Sequence, residues 1–278
     1  SIPRSPVAQN LRKISTVEAP ACQRFQATGD LSGCVCQFRL ECANIRMLME
    51  RLILFDIDGT LTRTQNGFVP FNRAIVDTFN VTGDIRSVFP DGMTDPHILE
   101  EIFAKMEAKI SISRGQLIQF ADHLRRNYAA ALENGTTTIR ALAGVPELLE
   151  SLSVAKQFAQ GVVTGNFEAT ARIKLEAAGL VRHLSLGAYA SDSSHRPDLP
   201  PIAKRRWEKS AGRAIPSDAC VIVGDTPKDL EAARANGMKC VLVGTGRHPI
   251  EELRHHAPDA AIPDLTDTGA VIDVLLKI

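Results

Sequence analysis

RLILFDIDGTLTRT, residues 51–64, is the stretch that decides how the rest of the chain is arranged. Its apolar residues 52–55 form a short run typical of a buried strand. The run ends at Asp56, and Asp58 and Gly59 follow. Two carboxylates this close at a strand end repel each other and lose solvation, so a cation or a shared proton is needed to balance them. Gly59 lets the backbone turn sharply there. The stretch predicts a strand that delivers two acidic side chains to a loop.

The composition is that of an ordinary globular protein. The chain has 278 residues, with 44% hydrophobic and 23% charged residues, enough for one large domain or a core with an insertion. The formal net charge is zero, so no general attraction to nucleic acid or to an anionic membrane is expected. No apolar run approaches the roughly 20 residues of a membrane span. With one Trp and two Tyr, a base-stacking surface is not expected either.

The cysteines do not form a recognisable metal or disulfide pattern. The six are Cys22, Cys34, Cys36, Cys42, Cys220 and Cys240. The spacing of the first four matches no zinc motif. The last two lie in apolar runs, where a free cysteine behaves as a small hydrophobic residue. A reducing cytoplasm is therefore the expected compartment.

Residues 1–48 differ from the rest of the chain. They show neither helical nor strand periodicity, and Met47 and Met49 stand just before the first strand. We expect a disordered N-terminal extension, or translated sequence upstream of a start at one of these methionines. An organelle transit segment is the alternative, because basic residues outnumber acidic ones there, although Glu18 and Asp30 count against it.

Residues 65–139 are predicted to be helical throughout. Apolar residues recur at helical spacing in 72–79, in 98–106 and in 117–128. Asp95-Pro96 is typical of a helix start, and Ser113 can cap the helix that follows. An insertion placed directly after the first strand would lie above the carboxyl end of that strand, where open α/β sheets bind ligands. The segment is therefore interpreted as an all-helical cap.

Residues 49–64 and 140–278 are predicted to form the catalytic core. From Gly144 onward, strand-like runs alternate with helical segments, which indicates a parallel sheet. The predicted fold class is α/β, a Rossmann-like parallel sheet with the cap of residues 65–139 inserted after its first strand.

Two further strand ends carry polar groups. VVTGN, residues 162–166, places Thr164, Gly165 and Asn166 after an apolar run, where a hydroxyl and backbone N–H groups can hold a phosphoryl oxygen. A simple turn would explain the same residues. VIVGDTPKDL, residues 221–230, places Asp225 at a strand end and Asp229 one helical turn later, which is typical of a site for a hard cation. Helix capping by Asp225 or Thr226 is the alternative there.

Together, DxDGT, the Thr of VVTGN and GDTPKD resemble the first, second and fourth motifs of the haloacid dehalogenase superfamily. The resemblance covers residues 51–278. The resemblance is strongest to the phosphoglycolate phosphatase-like group, in which a helical cap follows the first motif. The segment GMTDP, residues 92–96, also resembles the cap of that group.

The third motif departs from the superfamily pattern, which has a lysine, often before a proline. The corresponding segment here is SDSSHRPDLPPI, residues 191–202, with Arg196 before the proline. An arginine pairs with phosphate and carboxylate in a fixed geometry, so Arg196 is the preferred replacement. Lys204, in the next predicted helix, is the alternative.

The resemblance implies a role for each of these residues. Asp56 would attack phosphorus and form an aspartyl-phosphate, and Asp58 would protonate the leaving oxygen and then activate water. The implied catalytic set is Asp56, Asp58, Thr164 and Arg196. The implied Mg²⁺ ligands are Asp56, the backbone carbonyl of Asp58, Asp225 and, directly or through water, Asp229. The implied phosphate-binding residues are Thr164, Gly165, Asn166 and Arg196, and the substrate contacts are Arg63 and Thr94.

The predicted function is Mg²⁺-dependent hydrolysis of a small phosphate monoester, with phosphoglycolate as the leading substrate. A phosphomutase of the β-phosphoglucomutase type is one alternative, weakly disfavoured by Thr60 because mutases resemble DxDGV. A non-catalytic binding protein of the same fold is another. The expected partner is a small phosphorylated metabolite, without nucleic acid or membrane, for a cytoplasmic monomer or homodimer.

Overall fold

The structure is a computed structural model that describes residues 50–107 and 110–278. The predicted N-terminal extension lies outside the described residues. Among those residues the strands, in chain order, are β1 Arg51–Phe55, β2 Thr62–Gln65, β3 Thr138–Ala141, β4 Phe158–Val163, β5 Gly187–Ala188, β6 Cys220–Gly224, β7 Lys239–Val243 and β8 Ala260–Ile262. The α-helices are α1 Phe68–Phe79, α2 Asp95–Lys105, α3 Arg114–Glu133, α4 Val145–Val154, α5 Glu168–Ala177, α6 Leu199–Ala211, α7 Pro227–Ala235, α8 Ile250–His255 and α9 Thr268–Lys277. None of these helices combines the length and the apolar character needed to cross a bilayer.

A parallel sheet forms the core, as predicted. Its strand order is β5-β4-β1-β6-β7-β8, and every neighbouring pair is parallel. The chain runs outward from β1 through β4 to β5 and then returns to the other side of β1 at β6. Such a reversal leaves a crevice at the carboxyl ends of the central strands, which is the usual ligand site of open α/β sheets.

The residues of β1 show why this strand lies at the centre of the sheet. Leu52 and Leu54 pack in the apolar cluster on one face, and Ile53 and Phe55 pack in the cluster on the other. All four are fully buried or nearly so, because helices cover both faces of the sheet. A continuous apolar run is therefore the pattern that this position requires.

The cap consists of α1, α2 and α3 around an apolar cluster of its own, in which Phe71 and Phe120 meet edge to face with ring centroids 5.2 Å apart. Ser113 begins α3 with a capping box: its hydroxyl accepts from the backbone of Gln116, whose side chain in turn accepts from the Ser113 backbone.

An antiparallel ribbon of β2 and β3 connects the cap to the core, with Thr62 opposite Ala141 and Gln65 opposite Thr138. The sequence prediction did not include this ribbon, and the predicted cap boundaries at residues 65 and 139 fall within its two strands. The edge strand β5 is short, since only Gly187–Ala188 pairs with β4.

Candidate active site

The candidate site is a cavity of about 710 Å³ between the sheet and the cap. The ends of β1, β4 and β6 contribute Asp56, Thr164 and Asp225 to its lining, and the cap contributes residues of α1, α2 and α3. Because the three strands are neighbours and parallel, their carboxyl ends converge on one edge. The motifs identified in the sequence therefore meet although more than a hundred residues separate the first from the second.

Asp56 is buried and lines the cavity. Its backbone N–H donates to the carbonyl of Val223 on β6 at 2.9 Å, which continues the ladder past the end of β1. Burial raises the pKa of its carboxyl to about 7 against the opposing effect of Arg196. A carboxylate in this position needs a positive charge nearby to remain ionised at neutral pH.

Arg196 is the cation that touches Asp56. Its Nη2 lies 3.3 Å from Oδ1 of Asp56 and donates to Oδ1 of Asp229 at 2.5 Å. The side chain is buried and lines the cavity, and Nε has no hydrogen-bond partner among the described residues. An unpaired buried guanidinium N–H is costly unless a ligand oxygen accepts from it, so Nε is available for phosphate.

Lys204, the alternative for the third motif, does not reach the cavity. Its ammonium group pairs with Oε1 of Glu208 at 2.6 Å, one turn along α6. The geometry thus places Arg196, and not Lys204, against Asp56.

Three buried carboxylates form a cluster that fits a hard divalent cation. Asp56, Asp225 and Asp229 each offer an oxygen, and these oxygens lie within 4.8 Å of one another. Burial, followed by the charge of Asp56, raises the pKa of Asp225 to about 8. Crowded carboxylates of this kind favour either protons or a metal ion, and Mg²⁺ prefers oxygen ligands.

The Asp225 carboxylate occupies space that exists only because Gly59 and Gly246 have no side chains. A Cβ atom at Gly246 would lie 1.7 Å from Oδ2 of Asp225, and one at Gly59 would lie 2.3 Å from the same oxygen. The hydroxyl of Thr60 donates to Oδ1 of Asp225 at 2.9 Å. Gly59 also has a φ of +83°, which favours glycine.

Asp229 differs from the other two carboxylates because both of its oxygens already have donors. Oδ1 accepts from Arg196, and Oδ2 accepts from the backbone and the hydroxyl of Thr226 at 3.1 and 2.8 Å. It thereby caps α7. Asp56 and Asp225 are thus the better placed to bind Mg²⁺ directly, and Asp229 to support them from outside.

The side chain of Asp58 points away from this cluster. Its Oδ2 accepts from Nδ2 of Asn166 at 2.8 Å and from Nζ of Lys174 at 2.6 Å. Burial alone would raise its pKa, but the charge of Lys174 and the hydrogen bonds from Lys174, Asn166 and Thr64 together outweigh burial, so the pKa of Asp58 is lowered. Only the backbone carbonyl of Asp58 remains as a possible metal ligand.

Lys174 was not identified from the sequence, although it lines the cavity. It lies on α5, on the same buried face as Thr170, Ala171 and Leu175. A lysine at an inward position of an amphipathic helix was the available signal, since lysine is almost never fully buried unless it is paired.

The second motif contributes Thr164, Gly165 and Asn166, and all three line the cavity. The hydroxyl of Thr164 accepts from Nδ2 of Asn166 at 2.8 Å, so the two side chains hold each other in place. The amide oxygen of Asn166 accepts from Lys174 at 2.7 Å. The Asn166 side chain therefore links the second motif to Asp58 and Lys174.

The two predicted substrate contacts differ in position. Arg63, on β2, is exposed, lines the cavity and donates to the backbone carbonyl of Thr245 at 2.6 Å. Thr94 is buried, and its hydroxyl donates to the carbonyl of Ser194 at 2.6 Å. Thr94 is absent from the residues that line the cavity, because its hydroxyl faces the loop that contains Ser194. Its predicted contact with the substrate is therefore not supported.

Its neighbour Asp95 does line the cavity. Oδ2 of Asp95 accepts from the backbone of Phe167 at 2.9 Å, and the Asp95 backbone donates to the carbonyl of Gly165 at 2.7 Å. A Cβ atom at Gly165 would lie 2.0 Å from the carbonyl oxygen of Met93. GMTDP is thus the segment by which the cap rests directly on the second motif.

Comparison with known protein families identifies the family of the chain. The sequence profile of the haloacid dehalogenase-like hydrolases matches residues 53–243, which is more than half of the chain. The chain belongs to this family. It is 26% identical over 236 residues to the "Probable phosphatase IndB" of Dickeya dadantii, covering 83% of this chain and 96% of that protein.

Two solved structures show the same fold. One is described as a hydrolase from Pseudomonas syringae, with a TM-score of 0.60, 25% identity, and coverage of 81% of this chain and 98% of that chain. The other is a predicted phosphoglycolate phosphatase from Haemophilus somnus, with a TM-score of 0.56, 20% identity, and coverage of 80% and 98%. The predicted family and α/β fold class are confirmed, and the relatives agree with the predicted enzyme class, a phosphoric monoester hydrolase.

Proposed function

We propose that the protein is a Mg²⁺-dependent phosphatase that hydrolyses a small phosphate monoester through an aspartyl-phosphate. The observation that carries this proposal is the contact of 3.3 Å between Asp56 and a buried Arg196 whose Nε has no protein acceptor among the described residues. A nucleophile and an unpaired donor side by side are what a transferring phosphoryl group requires. The similarity to a probable phosphatase supports the same class.

The reaction would proceed in two steps on this chain's own groups. In the first, a carboxylate oxygen of Asp56 bonds to phosphorus, the ester P–O bond breaks, and the protonated form of Asp58 gives its proton to the leaving alkoxide. In the second, Asp58 takes a proton from water as the water oxygen bonds to phosphorus. The bond between phosphorus and Asp56 then breaks, which releases inorganic phosphate and restores the carboxylate.

The phosphoryl oxygens would be held by Arg196, Thr164, Gly165 and Asn166, all of which line the cavity. The carboxylates of Asp56 and Asp225, with the backbone carbonyl of Asp58, would hold Mg²⁺, and Asp229 would support them. When bound, the ion supplies positive charge that lets a phosphate approach two carboxylates.

A phosphoglycolate-like ester is the proposed substrate class. Arg63 supports this choice, because an exposed guanidinium at the cavity lining can bind a second anionic group of the substrate. The hydroxyl of Thr170 is buried, lines the cavity and has no partner among the described residues, which makes it available to a polar atom of the leaving group. The cavity volume of about 710 Å³ also admits larger esters, which the test must include.

The test is phosphate release by the full chain with Mg²⁺ across phosphoglycolate, sugar phosphates, nucleoside monophosphates and p-nitrophenyl phosphate. We expect EDTA to remove the activity and Mg²⁺ to restore it. Asp56→Asn, which keeps the size of the side chain, should abolish turnover while the melting temperature stays at or above that of the unsubstituted protein. Substantial turnover by a pure, Mg²⁺-loaded Asp56→Asn protein would refute the role of Asp56.

The proposed compartment is the cytoplasm. Cys220 and Cys240 are buried free thiols, which supports the cytoplasm as the compartment. A small phosphorylated metabolite is the proposed partner, and a monomer or homodimer the proposed state.

A further inference from the structure

A partly buried triangle of hydrogen bonds involves one oxygen of Asp58. Nζ of Lys174 donates to Oδ2 of Asp58 at 2.6 Å and to the amide oxygen of Asn166 at 2.7 Å. Nδ2 of Asn166 closes the triangle by donating to the same Oδ2 at 2.8 Å. Within the described part of the chain, the other oxygen, Oδ1, accepts a hydrogen bond only from the hydroxyl of Thr64, at 3.4 Å. The two oxygens of this carboxylate are thus held in different environments.

We propose that Lys174 is a positioning residue that fixes the Asp58 carboxylate through Oδ2, so that Oδ1 is the oxygen that exchanges a proton with the leaving group and with water. This inference rests on the proposed phosphatase function. The residue acts through Asp58 and is not assigned a contact with the phosphoryl group. None of the sequence motifs includes it.

The burial of Lys174 favours this role over that of an ordinary ion pair. The Lys174 side chain is 6% exposed, whereas that of Asp58 is 42% exposed. Removing a lysine ammonium from water is energetically costly, and an ion pair that served stability alone could stay exposed and avoid this cost. Lys174 nevertheless lies on the cavity lining, with its ammonium 5.4 Å from the ring centroid of Tyr128.

The orientation of Asp58 matters most when the leaving group needs a proton. An alkyl alkoxide is a poor leaving group and must be protonated as the P–O bond breaks, whereas p-nitrophenolate leaves with little assistance. A variant that misplaces Asp58 should therefore lose kcat/KM for alkyl phosphates far more than for p-nitrophenyl phosphate. A variant that merely loosens the protein should lose both alike.

The experiment compares Lys174→Met, Lys174→Arg and the control Lys204→Met with the unsubstituted full chain. Lys204 is a second paired lysine, outside the cavity. For Lys174→Met we expect kcat/KM to fall about 100-fold or more with alkyl phosphates and less than about 5-fold with p-nitrophenyl phosphate. Lys174→Arg, which can still donate to Oδ2, should recover part of the alkyl activity, and Lys204→Met should match the unsubstituted protein. Equal losses with both esters would overturn the proposal.

A failure of the proposed function can be told apart from a failure of this inference. If the unsubstituted protein shows no Asp56-dependent hydrolysis of any ester, the phosphatase proposal fails. Crystal structures of the unsubstituted protein and of Lys174→Met, or of Lys174→Ala if the first does not fold, then decide the inference directly, because neither methionine nor alanine can donate to Oδ2. A displaced Asp58 carboxylate supports the positioning role, and an unmoved one overturns it.

Discussion

Nη2 of Arg196 lies 3.3 Å from Oδ1 of Asp56, so a buried cation touches the side chain proposed to attack phosphorus. The same nitrogen donates to Asp229 on α7, which fixes the guanidinium between the ends of β1 and β6. Burial on its own would lower the pKa of Arg196, but Asp229 and Asp56 raise it, so the group stays charged. This one residue therefore joins three of the four motifs.

Two replacements of Arg196 should show how much of its contribution to kcat/KM comes from its charge and how much from the geometry of its guanidinium group. We expect Arg196→Gln to lower kcat/KM about 100-fold or more, the usual effect of losing one donor to developing charge. Arg196→Lys keeps the charge and should retain more activity than Arg196→Gln. Steady-state kinetics with saturating Mg²⁺ measures both, and Lys204→Met serves as the control at the alternative position. A stronger effect of Lys204→Met than of Arg196→Gln would reverse the assignment.

Asp225 and Asp229 should respond differently to the same change. Asp225→Asn removes a proposed Mg²⁺ ligand, so we expect half-maximal activity to need at least about a 10-fold higher Mg²⁺ concentration. Burial raises the pKa of the Asp225 carboxyl to about 8, so its ionised form is disfavoured and we expect no loss of stability in EDTA. Asp229→Asn weakens the pair with Arg196 and the capping box of α7, and should lower the melting temperature by several degrees. Mg²⁺ titration and thermal unfolding distinguish the two. Identical behaviour of both variants would contradict the division of roles.

Asp95 should make stability depend on pH. Burial raises the pKa of its carboxyl from 3.8 to about 7, with Lys174 opposing. The unfolded chain therefore loses this proton at lower pH than the folded protein does. The free energy of unfolding should fall as the pH rises from about 4 to about 7, by up to about 4 kcal/mol, and level off above that.

Urea unfolding at pH 5 and pH 8 measures this dependence. Asp95→Asn keeps an oxygen that can accept from Phe167 and should lose less stability between the two pH values than the unsubstituted protein. Asp122→Asn is the control, because Asp122 is an exposed cap residue whose pKa is lowered by hydrogen bonds from Arg125 and Arg126. If Asp95→Asn shows the same difference in the free energy of unfolding between pH 5 and pH 8 as the unsubstituted protein, Asp95 is not the source of the pH dependence.

The parts of the site that follow strands could be predicted from the sequence. Asp56, Thr164 and Asp225 each come directly after an apolar run, and parallel strands bring such positions to one edge whatever their separation in the chain. The position of Arg196 came from the resemblance to the family, because Arg196 precedes a proline as the lysine of the third motif often does.

The parts that depend on side-chain orientation could not be predicted. The pair between Lys174 and Asp58 joins residues 116 positions apart and depends on the rotation of α5 about its axis. Thr94 and Asp95 are adjacent, yet only Asp95 lines the cavity, and composition does not decide which of two neighbours points inward at a helix start. The ribbon of β2 and β3 was missed because each strand has only four residues.

The close approach of the cap at Gly165 gives a final prediction. A Cβ atom there would lie 2.0 Å from the carbonyl oxygen of Met93 and 3.0 Å from Cα of Thr94, which are backbone atoms that cannot move independently. Gly165→Ala should therefore displace GMTDP from the second motif, break the hydrogen bond from Asp95, and lower kcat/KM at least about 10-fold, since small misplacements in an active site are costly. Gly115→Ala is the matched control, because a Cβ atom at this cap-helix position meets nothing closer than 3.9 Å and should leave activity unchanged. Steady-state kinetics of both variants and limited proteolysis of the cap test whether this contact between GMTDP and the second motif is required. A Gly165→Ala protein with full activity and a protected cap would show that the cap need not rest on the second motif.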